Sequence, residues 1–164
     1  MKFKNLVLTL GVLMMLAFTS MAAAAPSQVN RSMTAINAAK AEIPAVCELV
    51  GYNVDGDTSI ITFKDPNTLE RYVVDVNTAT AKVQEIEVKG ATFVMGSTMV
   101  TKTPDDIEKI VLKNYPNAYE IVITQGQDGN NIYYIADFLT DKFDGELKLD
   151  PVTGAICERE LEYL

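Results

Sequence analysis

The feature that most constrains the fold of this chain is an internal repeat of one unit, a helix followed by strands. The first copy covers about residues 32–89 and the second about residues 103–163. In each copy a helical segment ends at a proline, Pro44 or Pro116, and strand-like runs follow it. Recurrence of the same elements in the same order is the sequence signature of tandem units. The chain is therefore predicted to contain two copies of one architecture.

The helix of the second copy carries clear start signals. Thr103 suits the N-cap, and Pro104 suits the first helical position, where a missing amide hydrogen costs nothing. Ile107 and Val111 recur one turn apart and so share one helix face. The first copy is predicted to have a matching helix with Ser32 as its N-cap. Each helix then has an apolar face that must pack on another element.

Four strands are predicted after each helix, in runs rich in Val, Ile, Thr, Tyr and Phe. Short turn sequences separate the runs, and strands joined by short turns pair antiparallel. The predicted strands are residues 47–52, 59–63, 71–76 and 81–88, then 119–125, 131–139, 145–150 and 155–161. The predicted fold class is therefore α+β, with two tandem units, each a helix packed on an antiparallel sheet of about four strands.

The first 25 residues have the layout of a secretory signal peptide. Lys2 and Lys4 precede an apolar run over residues 6–18, and four alanines follow at 22–25. This pattern predicts export to a secreted or periplasmic location, with removal of residues 1–25. The remaining predicted segments are a first unit at 26–89, a linker or crossover strand at 90–102, and a second unit at 103–164. No other apolar run is long enough to cross a bilayer.

Charge and residue absences limit the classes of function. The chain has 14 basic and 22 acidic residues, a net charge of −8. Loss of Lys2 and Lys4 with the signal peptide would leave 12 basic residues and a net charge of −10, which disfavours nucleic-acid binding. There is no histidine, so histidine-based catalytic triads and histidine metal sites are excluded. No catalytic, cofactor-binding or metal-binding residue is predicted.

The two cysteines leave two alternatives open. Export would place Cys47 and Cys157 where disulfides persist, and a bond between them would join the first strand of one copy to the last strand of the other. The other alternative is two separate buried thiols, each packing as a small apolar residue.

Four residues are candidates for contact with a partner. Phe93, Met95 and Met99 lie in the predicted linker, where they either pack between the two units or form an adaptable contact surface. Tyr133 alternates along its strand with Tyr134, which is predicted to face the helix, so Tyr133 is the more exposed of the two.

The order of helix, proline, strands and a late Asp-x-x-Thr turn resembles the PepSY family of bacterial extracytoplasmic domains. The residues that carry the resemblance are 72–79 in the first copy and 145–156 in the second. The resemblance implies a helix on an antiparallel sheet, a role in inhibition or regulation, and no catalytic residues. A tandem exported α/β pair is also similar in architecture to secreted inhibitors of β-lactamase.

The function predicted from these features is an exported, non-enzymatic binding module that inhibits or regulates an extracytoplasmic peptidase. The predicted partner is such a peptidase or another envelope protein, with no nucleic acid and no cofactor. The alternative is a structural or ligand-sensing envelope protein without an enzyme partner.

Overall fold

The computed structural model describes residues 26–90 and 96–164, and for residues 26–29 it describes the backbone alone. The predicted signal peptide lies outside these residues. The elements are α1 (Pro26–Ala41), β1 (Glu48–Asp55), β2 (Thr58–Lys64), β3 (Arg71–Asn77), β4 (Val83–Lys89), α2 (Pro104–Asn114), β5 (Tyr119–Asp128), β6 (Asn131–Leu139), β7 (Phe143–Leu149) and β8 (Ile156–Tyr163).

The two helix starts differ from each other in how well the sequence predicted them. Thr103 caps α2, and its side-chain oxygen accepts a hydrogen bond from the Asp106 backbone N–H. The Asp106 carboxylate accepts one from the Thr103 backbone N–H, which completes a capping box. This prediction is confirmed. Helix α1 already begins at Pro26, so Ser32 lies inside the helix and its predicted capping role is wrong.

All eight strands form one antiparallel sheet in the order β1-β2-β3-β4-β8-β7-β6-β5. The predicted fold class of two tandem units, each with its own helix-covered sheet of about four strands, is therefore wrong. The last strand of each half, β4 and β8, pair with each other from Glu85↔Glu162 to Lys89↔Glu158. Two separate sheets would leave both strands as open edges with unpaired backbone groups, and pairing them satisfies both edges at once.

Both helices pack on the same face of this sheet. Helix α1 lies over β2 and β3, and α2 lies over β5 and β6. Residues directly opposite each other on antiparallel strands share a face, so the row Ile86, Leu161, Gly145 and Phe138 runs across the strands beneath both helices. Two buried clusters form the core, one under each helix, and Leu161 packs against both.

Side-chain contacts, in addition to the backbone pairing of β4 and β8, also join the two halves. The Tyr163 hydroxyl donates to Glu42 Oε2 at 2.6 Å, and Lys142 Nζ contacts the same oxygen at 3.1 Å. Arg159 reaches Glu70 Oε1 at 3.5 Å. The end of α1 is thus tied to the last strand and to the β6–β7 connection, on the side of the helices.

Candidate functional site: the open face of the sheet

The face of the sheet opposite α1 and α2 is covered by no helix among the described residues, and we call it the open face. Its residues are those that alternate with the core residues along each strand. The pairing register aligns them in rows that cross the sheet from β2 to β6. The open face is therefore a continuous surface that exists only because β4 pairs with β8.

Two adjacent rows of the open face carry eight carboxylates and no basic residue. One row crosses β3, β4, β8 and β7, and the next crosses β4, β8, β7 and β6. We call these residues the acidic band: Asp75, Glu85, Glu162 and Asp144 in the first row, then Glu87, Glu160, Glu146 and Asp137 in the second. Like charges directly opposite each other on neighbouring strands are destabilising. The fold maintains this arrangement at a cost in stability.

The third row of the open face is basic. It contains Lys64, Arg71, Lys89 and Lys148, with Glu158 between the last two. Glu158 Oε2 lies 3.2 Å from Lys148 Nζ, and Glu158 Oε1 lies 3.9 Å from Lys89 Nζ. Partial burial of Lys148 opposes its charged form, but Glu158 and Glu146 outweigh this effect and raise the pKa of Lys148. The same two lysines reach the acidic band: Lys89 Nζ lies 2.6 Å from Glu87 Oε1, and Lys148 Nζ lies 3.7 Å from Glu146 Oε1. The basic row therefore partly neutralises the adjacent border of the band.

Glu85 is the most perturbed carboxyl of the acidic band. Partial burial, followed by repulsion from Glu160, Asp75, Glu87 and Glu162, raises the pKa of Glu85 to about 7. A fraction of the Glu85 carboxyl groups is therefore protonated near neutral pH, because burial and the neighbouring negative charges disfavour the ionised form. A cation placed against this part of the band would relieve that repulsion.

Replacement of Glu85 by glutamine is expected to stabilise the protein at pH 8. The folded-state pKa of Glu85 lies above the ordinary value of 4.5, so its ionisation lowers the free energy of unfolding as pH rises from about 4.5 to about 7. Glutamine keeps the shape without the charge. After allowance for solvent screening, we expect a gain of about 1 kcal/mol, or roughly 3 °C in Tm, at pH 8.

Thermal unfolding of both proteins between pH 4.5 and pH 8 measures this effect. The wild-type Tm should decline relative to Glu85→Gln across the interval, and the two should converge near pH 4.5. Glu108→Gln, on the exposed surface of α2, removes the same charge outside the band and should leave the profile close to that of the wild type. Parallel profiles for wild type and Glu85→Gln would show that Glu85 is not strained in the folded protein.

A cavity of about 500 Å³ opens at one end of the acidic band. It lies where β3, β4 and the C-terminal end of β8 meet, and its lining includes Asp75, Glu85, Glu162, Lys82 and Leu164. Burial, followed by repulsion from Glu87, also raises the pKa of Asp75. The band therefore ends in a concave surface whose lining includes three carboxyl groups and one lysine.

The predicted contact residues do not all belong to this face. Phe93 and Met95 lie outside the described residues. Met99 is 63% exposed, in the segment that leads to α2. Tyr133 lies on the open face, with its ring over Gly126 of β5, and Tyr134 on the opposite face is buried beneath α2. The contact roles of Met99 and Tyr133 stay predictions.

The two cysteines are free thiols in different surroundings. Cys47 is buried in the core under α1, and Cys157 sits at the irregularity in the β7–β8 pairing, with its Sγ 3.6 Å from the Ala155 carbonyl oxygen. The Cys47–Cys157 disulfide, one of the two alternatives, is not formed. Burial raises the pKa of both thiols, and nearby carboxylates add to the effect at each. Both groups are therefore weak nucleophiles at neutral pH.

Across residues 26–90 and 96–164, no group of three or more cysteine, aspartate or glutamate side chains is arranged to hold a metal ion. The same part of the chain has no helix that combines the length and the apolar character needed to span a membrane.

The acidic band was not predicted from the sequence, although part of its signal was present. Acidic residues alternate with other residues in β4, β7 and β8, as in Glu85 and Glu87 or Glu160 and Glu162. Such alternation places them on one face of a strand. Their alignment across the two halves could not be read from the sequence, because it depends on the β4–β8 register.

Comparison with known proteins gives two distant structural likenesses. A crystal structure of a BLIP-like protein from Bacteroides fragilis is 12% identical, covers 79% of this chain and 85% of its own, and has a TM-score of 0.34. A Clostridium difficile protein described as a candidate lipoprotein is 17% identical, covers 78% of this chain and 90% of its own, and has a TM-score of 0.32. At these scores neither likeness carries an argument about function.

No protein-family profile matches the chain, so the PepSY resemblance stays a prediction. No curated protein matches it either.

Proposed function

We propose that this protein is an exported, non-enzymatic binding module that uses its open face to dock a basic surface of a partner protein. The observation that carries the proposal is the continuous sheet face with its acidic band, left uncovered by both helices. The mechanism is steric: the docked protein blocks the surface of its partner, and no covalent bond is made or broken. In keeping with the PepSY resemblance, the partner class proposed is an extracytoplasmic peptidase with a basic region near its substrate groove.

Charge and shape support this proposal in different ways. The eight carboxylates of the acidic band outnumber the two lysines at its border, Lys89 and Lys148, so the band has an excess of negative charge. A partner with lysine and arginine side chains gains from attraction to this excess and from the relief of repulsion within it. The sheet supplies rigid backbone pairing beneath these side chains, so little backbone entropy is lost on docking. Complementary charge of this kind also raises the rate of association.

A structural or ligand-sensing role without an enzyme partner is the second candidate. The cavity at the end of the acidic band favours it, because a small organic cation would fit a concave surface lined by Asp75, Glu85 and Glu162. This candidate requires no peptidase inhibition.

A panel of extracytoplasmic peptidases, assayed for inhibition by purified residues 26–164, tests the proposal. We expect inhibition of at least one enzyme with a basic groove, weakening as NaCl rises from 50 to 500 mM. The variant with Glu160→Lys and Glu162→Lys, both exposed on β8, should bind about 10-fold or more weakly.

The variant with Glu108→Lys and Asp128→Lys is the matched control, since it changes the net charge equally outside the acidic band. It should keep nearly all of the inhibition. Equal loss in both variants would show that net charge alone governs binding and would contradict docking on the open face. Absence of inhibition across the panel would favour the structural or sensing role.

A further inference from the structure

The outer edge of the sheet at β1 has features that the open face does not explain. Strand β1 is the first in the sheet order, and among residues 26–90 and 96–164 it pairs with β2 alone, so its other side is an edge of the described sheet. Its eight residues include no lysine, arginine or proline, the residues with which proteins commonly protect a long edge. Four apolar side chains are exposed along it: Leu49 by 48%, Val50 by 57%, Tyr52 by 38% and Val54 by 46%.

Three of these side chains form a strip on the helix-bearing face. Leu49 is paired with Phe63 and Tyr52 with Ile61, and both partners belong to the core under α1. Val54, opposite the buried Ser59, continues the same face. Helix α1 packs mainly over β2 and β3, so the strip lies beside the helix and remains exposed. The strip of β1 side chains therefore extends the apolar core under α1 to the edge of the sheet, where it is exposed.

The opposite edge of the sheet, β5, is protected differently. Its pairing with β6 is irregular between Tyr119 and Val122, and Glu120 there has a positive φ of 51°. Its outer half carries the exposed polar side chains of Thr124, Gln125, Gln127 and Asp128. Strand β1 also has an irregularity, between Leu49 and Gly51 in its pairing with β2, so a bulge does not distinguish the two edges. They differ in their side chains, because the β5 edge ends in a polar stretch and the β1 edge has apolar side chains along its length.

Charge at the ends of β1 discriminates between occupants. In an antiparallel pair of β1 strands from two copies, Glu48 of one would lie opposite Asp55 of the other, and like charges in that position repel. On β2, Lys64 lies opposite Glu48, but the neighbour opposite Asp55 is Thr58, and Asp57 adds a second carboxylate to the same turn. The chain as a whole is also acidic, with a net charge of −8. A second copy is disfavoured, and a segment with basic ends is favoured.

We propose that β1 binds an extended segment of a partner protein by strand addition. The segment has alternating apolar residues that cover Leu49, Tyr52 and Val54, and a lysine or arginine at the end that meets Asp55. Backbone hydrogen bonds to the β1 edge supply affinity, and the apolar strip with Asp55 supplies selectivity. This surface is separate from the acidic band and does not depend on the proposed peptidase partner.

Two blocked octapeptides test the inference on the whole of residues 26–164. The first is acetyl-Lys-Val-Thr-Val-Thr-Val-Thr-Lys-amide, and the second has glutamate at both ends. We expect the lysine-ended peptide to bind about 10-fold more tightly in a fluorescence competition assay. Hydrogen exchange should slow at the amides of β1 and remain unchanged at those of β5. A lysine-ended peptide N-methylated at alternate residues should lose binding, because it lacks the backbone donors.

Matched variants locate the site. Asp55→Lys should reverse the preference between the two peptides, and Asp128→Lys, an exposed acid at the end of β5, should preserve it. The variant with Glu160→Lys and Glu162→Lys should still bind the lysine-ended peptide, which separates this inference from the proposed function. Equal binding of both peptides, protection at β5, or no binding would overturn the inference. So would a β1-mediated dimer in sedimentation equilibrium, since it would make a second copy the occupant.

Discussion

Replacement of Gly145 by alanine is expected to destabilise the protein by about 2 kcal/mol, although it adds a single methyl group. A Cβ at Gly145 would overlap the ring of Phe138, its neighbour across β6 and β7. That ring is 1% exposed and packs against Tyr115 at 4.6 Å and Phe143 at 6.3 Å between ring centroids. Any movement of the Phe138 ring would disturb these ring contacts, so the methyl group strains the core.

Denaturant unfolding of a double-mutant cycle measures this coupling. Phe138→Ala alone should cost about 4 kcal/mol, but in that background Gly145→Ala should cost less than about 0.5 kcal/mol, because the overlapping ring is gone. Gly126→Ala is the matched control: its Cβ would overlap the Tyr133 ring, which lies on the open face and can rotate into solvent. We expect Gly126→Ala to cost under about 1 kcal/mol. Additive losses in the Gly145–Phe138 cycle would contradict the packing argument.

Removal of one buried isoleucine from either core is expected to weaken both halves of the protein together. Ile61 on β2, beneath α1, and Ile107 on the core side of α2 are each fully buried, so Ile61→Ala and Ile107→Ala should each cost about 3 kcal/mol. The β4–β8 pairing and Leu161, which packs against both cores, join the two halves. Each variant should therefore unfold in a single transition.

Hydrogen exchange at the amides of α1 and α2 separates this outcome from its alternative. Under conditions that report global unfolding, each substitution should lower protection in both helices by the same free energy. If Ile61→Ala lowered protection in α1 alone and Ile107→Ala in α2 alone, the halves would unfold as independent units. The two variants control for each other, since each removes an isoleucine side chain from one of the two cores.

The sequence predicted the local elements well, for reasons that lie within short stretches of chain. Thr103, Pro104 and the spacing of Ile107 and Val111 are sufficient to define α2, because capping and amphipathic periodicity act over a few residues. The strand β6 was predicted over its observed range, since its alternation places Tyr134, Ala136 and Phe138 on one face. The start of α1 was not predicted, because Ser32 fits a helix interior as well as a cap.

The candidate site depends on the pairing of strands that are far apart in the sequence. Glu85 and Glu162 are 77 positions apart in the sequence and directly opposite each other in the sheet. Alternation within β4 and β8 placed each glutamate on a polar face, but it could not show that the two faces are one. The register of a strand pair is set by packing against the core and by the competition between possible edges. Those terms arise only once the chain is folded.

By itself, then, the sequence determined two helices, eight strands, an acidic chain, and the absence of histidine chemistry. Only the tertiary structure decided that β4 of the first half pairs with β8 of the second. This pairing produces one sheet with a shared acidic band and places β1 at an exposed edge. The physical reason is that each half ends in a strand whose backbone groups require a partner, and the partner that satisfies both is the corresponding strand of the other half.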